Sequence, residues 1–238
     1  MHCHILPGVD DGAKNIEESK KMLEIARADG IRCIIATPHY HPKRGHASSQ
    51  ELAKALQDLR AAAKEVDEKM RIYLGRELYY GEDLLEDLKE QKALTMNNRA
   101  CILVEFRPSD EYERIRRGLQ QLQLVGYEVI LAHVERYLCI LEDIEKAEEL
   151  YDMGIHLQVN SDSMTGERGR KVKKFIQTLL EEEMVYCVGT DAHDCKDRPP
   201  KMKKAAAYAT KLCGEAYAKE IFITNAMNLV SKKDKKGR

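Results

Sequence analysis

Short, nearly continuous apolar runs alternate with amphipathic stretches along this chain. The run IRCIIATP, rich in isoleucine, predicts a buried strand over 31–36. Beyond it Leu52, Leu56, Leu59, Ala63 and Val66 recur at steps of four and three, the period of a helix with one apolar face. Ser48 and Glu51 precede that face with the S-x-x-E spacing of a capping box, which satisfies backbone donors at a helix start. An earlier helix is expected over 16–29, with Asn15 and Glu18 as its N-terminal cap pair and Gly30 past its end. The pattern repeats, with strands at 71–75, 101–106, 129–133, 155–160 and 185–190. Helices are expected at 81–91, 110–125, 143–153, 168–183, 199–213 and 215–229.

Continuous apolar strands between helices mark a parallel sheet covered on its outside. No linker divides the chain, so a single domain over 1–238 is expected. The placement of polar residues favours a β/α barrel over an open doubly wound sheet. His39 follows IIATP, Glu77 follows IYLGR, Glu105 follows LV, His133 follows VILA, and Asp191 and His193 follow CVGT. In a barrel the C-terminal ends of all strands converge on one mouth, where active sites sit.

The N-terminus adds His2-Cys3-His4, whose two imidazoles share a face if the segment is extended. Asp10 or Asp11 of the following turn can enter the mouth too. Nine ligands are taken from this reading: His2, His4, Asp11, His39, Glu77, Glu105, His133, Asp191 and His193. So many ionisable groups in one pocket need compensating charge, and two or three divalent cations supply it. Mixed imidazole and carboxylate ligation without thiolate suits Mn²⁺, Fe²⁺, Zn²⁺, Co²⁺ or Mg²⁺ with open positions rather than structural zinc. His41, His46 and His156 are read as solvated or packed histidines.

Composition removes several function classes. The 238 residues carry 39 basic and 40 acidic side chains, so nothing draws the protein in bulk to nucleic acid or anionic membrane. No apolar run approaches a membrane span and no signal peptide is evident, which places the chain in the cytoplasm. Seven scattered cysteines without a CxxC pair fit a reducing compartment. Residues 231–238, SKKDKKGR, are expected to form a flexible basic tail.

The motifs HCHILPGVDDG, ATPHYH, GRELYY, LVEF, LAHVERY and GTDAHD…RPP resemble the PHP (polymerase and histidinol phosphatase) superfamily. Within it they are most similar to the bacterial manganese-dependent protein-tyrosine phosphatases of capsular and exopolysaccharide synthesis. That resemblance implies a distorted seven-stranded β/α barrel whose first strand runs through His2–His4, shortened here because only Met1 precedes His2. It implies one metal held by His2, His4, Glu77 and Asp191, a second by Glu77, Glu105 and His133, and a third by Asp11, His39 and His193. Arg136 and Arg198 match arginines that bind the substrate phosphate, and Asp191 and His193 can also help to move protons. The implied mechanism is attack of metal-activated water on a phosphotyrosine ester, and the implied partner is the phosphorylated tail of a tyrosine kinase. Histidinol phosphate or another small phosphomonoester is the alternative substrate, with choice expected in residues 40–50 and 107–114. A metal-loaded binding module without catalysis is a further alternative. A nuclease is disfavoured by the balanced charge and the absence of tryptophan. Cys101 and Arg107 have the C-x5-R spacing of cysteine phosphatases, but Ile-Leu-Val-Glu-Phe between them reads as a strand, not a phosphate-cradling loop.

Overall fold

The computed structural model describes residues 1–43 and 46–231. Its strands are β1 (Cys33–Ala36), β2 (His39–Tyr40), β3 (Arg71–Leu74), β4 (Glu77–Tyr79), β5 (Cys101–Glu105), β6 (Glu128–Leu131), β7 (His156–Asn160) and β8 (Val185–Gly189). β1 pairs with β3, and the remaining strands run in the order β2-β4-β5-β6-β7-β8, all parallel. β1 and β2 are two parts of one extended segment interrupted at Thr37–Pro38, and β3 and β4 are likewise interrupted at Gly75–Arg76. The expected strands at 31–36 and 71–75 therefore continue past their breaks, through the residues that carry His39 and Glu77.

Residues 1–4 close the ring. The Thr37 amide donates to Cys3 O at 2.9 Å on one side. On the other, His4 N donates to Ala192 O at 2.8 Å and Asp191 N to His2 O at 2.9 Å. Seven extended segments thus form an unbroken hydrogen-bonded circuit, a distorted β/α barrel. The first segment is short, as expected, and its pairing beside β8 amounts to an isolated parallel bridge between Cys3 and Ala192.

Strand alternation sorts the side chains. Ile35, Cys101, Leu103, Ile130, Ala132 and Cys187 pack with Met1 and Met96 in one interior cluster. The intervening Ile102, Val104, Val129 and Leu131 join a separate core beneath the helices. Along β5 the inward row runs Cys101, Leu103, Glu105, so the interior changes from apolar to acidic as it approaches the mouth.

The helices form where sequence signals place them. Asn15 Oδ1 accepts from Glu18 N, and Ser48 and Glu51 make a reciprocal capping box. Two expectations are corrected. The helix expected from 199 begins at Lys203, because Pro199 and Pro200 disfavour helical backbone before them. Asp29 caps its start, accepting from Met202 N and from Lys203 N, the latter at 2.7 Å. The helix expected over 81–91 shortens to Leu84–Lys89. The last helices meet at Gly214, where φ of 85° breaks the helical path. Of the expected basic tail, residues 232–238 lie outside the described residues. Among those described, no helix is long and apolar enough to cross a membrane.

Candidate metal centre

All nine residues read as ligands gather at the mouth. His2, His4, Glu77 and Asp191 each offer a donor atom within 4.8 Å of the others. The same holds for His4, Asp11, His39 and His193, and for His39, Glu77 and Glu105. His133 Nε2 lies 2.9 Å from Glu77 Oε1 and 3.7 Å from Glu105 Oε2. Two of these groups reproduce the expected grouping of ligands, with His4 added to the one containing Asp11. In the third His39 takes the place expected for His133, which touches the same two carboxylates. Asp11 is the outlier in burial. Its side chain is 68% exposed and 3.5 Å from both His39 and His193, whereas His2 and His4 are fully buried.

The donor set fits cations. In neutral imidazoles, His2 Nδ1–H donates to Gln158 Oε1 at 2.8 Å and His4 Nδ1–H to Asp10 Oδ2 at 2.8 Å. His193 Nδ1–H donates to the Asp191 carbonyl at 2.9 Å. Each partner leaves the Nε2 lone pair pointing into the pocket, the arrangement by which proteins orient metal-binding histidines. His2 Nε2 and His4 Nε2 both lie 3.1 Å from Glu77 Oε2, and His39 Nδ1 lies 3.2 Å from it. That oxygen, buried and ringed by three imidazoles, accepts no well-formed hydrogen bond.

The electrostatics are those of a charge-crowded pocket. Burial pushes the Glu77 carboxyl up, but His2, His133 and His4 around it hold it well below the usual range. Burial disfavours charge on His4 and His133, yet Asp10, Asp191 and Glu77 raise the first, and Glu105 and Glu77 raise the second to about 9. His193, buried and facing the positive His4, is lowered to about 4. Protons or cations can balance such a cluster, and cation binding releases the protons.

Two arginines close one side. The Arg136 and Arg198 guanidinium groups both reach Asp191 Oδ2, Arg198 at 2.7 Å. Each remains about one-third exposed, at 33% and 31%. A guanidinium fork held at a mouth matches phosphate geometry.

Of the seven described non-glycine residues with positive φ, three lie in this site, with φ of 60° at His2, 36° at His133 and 48° at Asp191. Such strain clusters at functional sites. His133 leaves β6 this way, so the strand expected over 129–133 ends at Leu131. Gln158, Asn160, Asp10 and Glu135 were not singled out as supports. Gln158 Oε1 also accepts from His133 N at 3.0 Å, its amide donates to Asn160 Oδ1 at 2.8 Å, and Asn160 donates to Asp191 Oδ2 at 3.0 Å. Glu135 Oε1 accepts from Asn160 N at 3.0 Å. Polar residues at alternate positions of the apolar strand IHLQVN were the signal that could have found the pair.

The remaining candidates take other places. His156 stacks on Tyr186 with centroids 3.8 Å apart and meets Glu128 at 2.9 Å. His46 packs 4.2 Å from the Tyr40 ring, and His41 stacks on Tyr79. Cys101 begins β5 with its thiol buried and pushed up by that burial, while Arg107 is exposed beyond the strand's other end. No phosphate loop joins them.

The model of the family "Capsular polysaccharide synthesis, CpsB/CapC" matches residues 1–231. The tyrosine-protein phosphatase CpsB of Streptococcus pneumoniae is 33% identical over 235 residues, covering 97% of each chain. A solved structure described with YwqE of Bacillus subtilis and CpsB of Streptococcus pneumoniae, "unique metal-dependent tyrosine phosphatases", superposes with a TM-score of 0.89 at 30% identity. It covers 96% of this chain and 92% of its own. The histidinol phosphate phosphatase of Lactococcus lactis shares the fold, with a TM-score of 0.55 at 16% identity over 85% of this chain and 88% of its own. The chain belongs to the CpsB/CapC family of capsular polysaccharide synthesis.

Proposed function

We propose that this chain is a metal-dependent phosphomonoesterase acting as a protein-tyrosine phosphatase. Its substrate is a phosphotyrosyl protein, the tail of a tyrosine kinase of capsular or exopolysaccharide assembly, reached on the cytoplasmic side. The whole of 1–238 serves as one catalytic unit. The observation that carries this reading is the meeting at Glu77 Oε2 of the His2 and His4 imidazoles, each held at Nδ1, beside two arginines on Asp191 Oδ2.

His2, His4, Glu77 and Asp191 would hold one cation, Glu77, Glu105 and His133 a second, and Asp11, His39 and His193 a third, with Mn²⁺ the preferred ion. Bound divalent ions lower the pKa of water and offset phosphoryl charge. The chain's own groups do the rest. Arg136 and Arg198 orient the phosphoryl group and neutralise the charge that gathers on its oxygens during transfer. Gln158, Asp10 and the Asp191 carbonyl keep the imidazoles turned inward. Asp191 and His193 serve first as ligands, with Asp191 Oδ2 and His193 Nδ1 already engaged, so the proton that water gives up leaves through solvent at the open mouth and their part in moving it is secondary. A P–O bond forms from water as the bond to the phenolic oxygen breaks, and phenolate is a good enough leaving group to depart without a strong acid.

Chelation tests this directly. Removal of metal, verified by elemental analysis, should lower phosphotyrosyl-peptide turnover at least 100-fold, and Mn²⁺ should restore it. Undiminished turnover by metal-free protein overturns the mechanism. Faster turnover of histidinol phosphate than of the peptide by the Mn²⁺ form overturns the substrate.

A further inference from the structure

The inward rows continue past the ligand layer. His41 stands two residues beyond His39, Tyr79 two beyond Glu77, and Arg107 two beyond Glu105. Residues two apart on an extended chain share a face. The residues between, Tyr40, Leu78 and Phe106, are buried in the core beneath the helices, so the other face of each segment looks to the mouth.

The three outer side chains meet one another. The His41 and Tyr79 rings stack with centroids 4.4 Å apart and planes 13° from parallel. Arg107 Nε donates to the Tyr79 hydroxyl at 2.7 Å. His41 and Tyr79 are half-buried and Arg107 is exposed. The trio has no carboxylate, and it flanks β2, β4 and β5, whereas Arg136 and Arg198 follow β6 and β8 in the other half of the ring. Cation binding and phosphate binding are thus accounted for elsewhere.

We propose that His41, Tyr79 and Arg107 form the subsite for the aromatic ring of the esterified phenol, and so select aryl over alkyl phosphomonoesters. This rests on the phosphatase reading above and adds to it the origin of its substrate choice. Stacking covers one face of each ring and holds the pair in place, so the outer face of the stack is a π surface on which a phenyl ring stacks at little cost in lost rotamer freedom. The Arg107 charge attracts the face of such a ring. An alkyl ester presents no surface to either.

Steady-state kinetics on the Mn²⁺ enzyme with phenyl phosphate and glycerol 2-phosphate separates the possibilities. Tyr79→Leu should raise KM for phenyl phosphate about tenfold and keep kcat within about twofold, the order of effect expected from one lost aromatic stack. The same variant should leave kcat/KM for glycerol 2-phosphate within about twofold. Tyr79→Phe, which keeps the ring, should return KM for phenyl phosphate to within about threefold of the parent. Equal losses on both esters, no change on the aryl ester, or a Phe variant as poor as the Leu variant overturns the subsite. Calorimetry with phenylphosphonate and methylphosphonate reads binding without turnover. The parent should prefer the phenyl compound at least about tenfold and Tyr79→Leu should erase the preference, while equal binding by the parent overturns the proposal. If neither ester is hydrolysed but the phosphonate preference behaves as stated, the phosphatase reading falls and the subsite stands.

Discussion

At the scale of single residues, the side chains that hold the ligands are as telling as the ligands. Gln158 is fully buried and serves three neighbours, accepting from His2 and from the His133 amide and donating to Asn160. Gln158→Leu would strand two buried donors, at about 1–3 kcal/mol for each. It would also free His2 to turn its Nε2–H into the pocket. Metal affinity should fall about 10- to 100-fold, as loss of a ligand's hydrogen-bond partner typically gives. Titration of metal-free protein measures this, and unchanged affinity would reduce Gln158 to a packing residue. The residues proposed as ligands were conspicuous in the sequence because they are acids and imidazoles at the ends of apolar runs. Asp10 was not distinguishable from Asp11 by sequence, since which of two adjacent carboxylates faces inward depends on a turn. Here Asp10 turns in to His4 and the amides of Gly12 and His39, and Asp11 faces the rim.

At the scale of elements, apolar runs located every long strand, because burial on both faces leaves little room for polar residues. What they could not reveal is left-handed backbone at non-glycine residues such as His133 and Asp191, where tertiary contacts override local preference. Glycines mark where elements crowd. A Cβ on Gly189, at the end of β8, would fall 2.8 Å from His2 Cβ and 2.7 Å from Gln158 Nε2. One on Gly12 would fall 2.0 Å from the His4 carbonyl oxygen. Neither position has a positive φ, so the constraint is space rather than backbone. Gly12→Ala must displace backbone and should cost about 1–3 kcal/mol, the usual range for overpacking. Gly189→Ala pushes on side chains and should loosen metal binding more than it lowers stability. Thermal unfolding of both variants, with metal and after chelation, distinguishes these effects. A smaller metal-dependent shift in melting temperature than the parent's is expected for Gly189→Ala.

At the scale of the whole molecule, the segment that brings His2 and His4 to the pocket also closes the barrel. Cys3 lies between them and faces the other way, into the apolar cluster under the first two helices, 3% exposed. Burial pushes its thiol up to about 11. Cations held partly by His2 and His4, as proposed above, would therefore tie the ring shut, and their free energy would add to that of closure. Metal at about 100 times its dissociation constant contributes about 2.7 kcal/mol against any opening that breaks the site. Local detachment of residues 1–4 should accordingly become about 100-fold rarer on metal binding. The rate at which a thiol reagent modifies Cys3, followed by peptide mass mapping, reads that opening. Cys101 and Cys187 are also buried but sit in the interior cluster, so they respond to loss of the whole barrel. Chelation that speeds Cys3 modification far more than theirs would show a ring that opens at its first segment. Equal acceleration at all three would mean that metal stabilises the barrel as one unit, and an unchanged Cys3 rate would separate the cations from closure altogether.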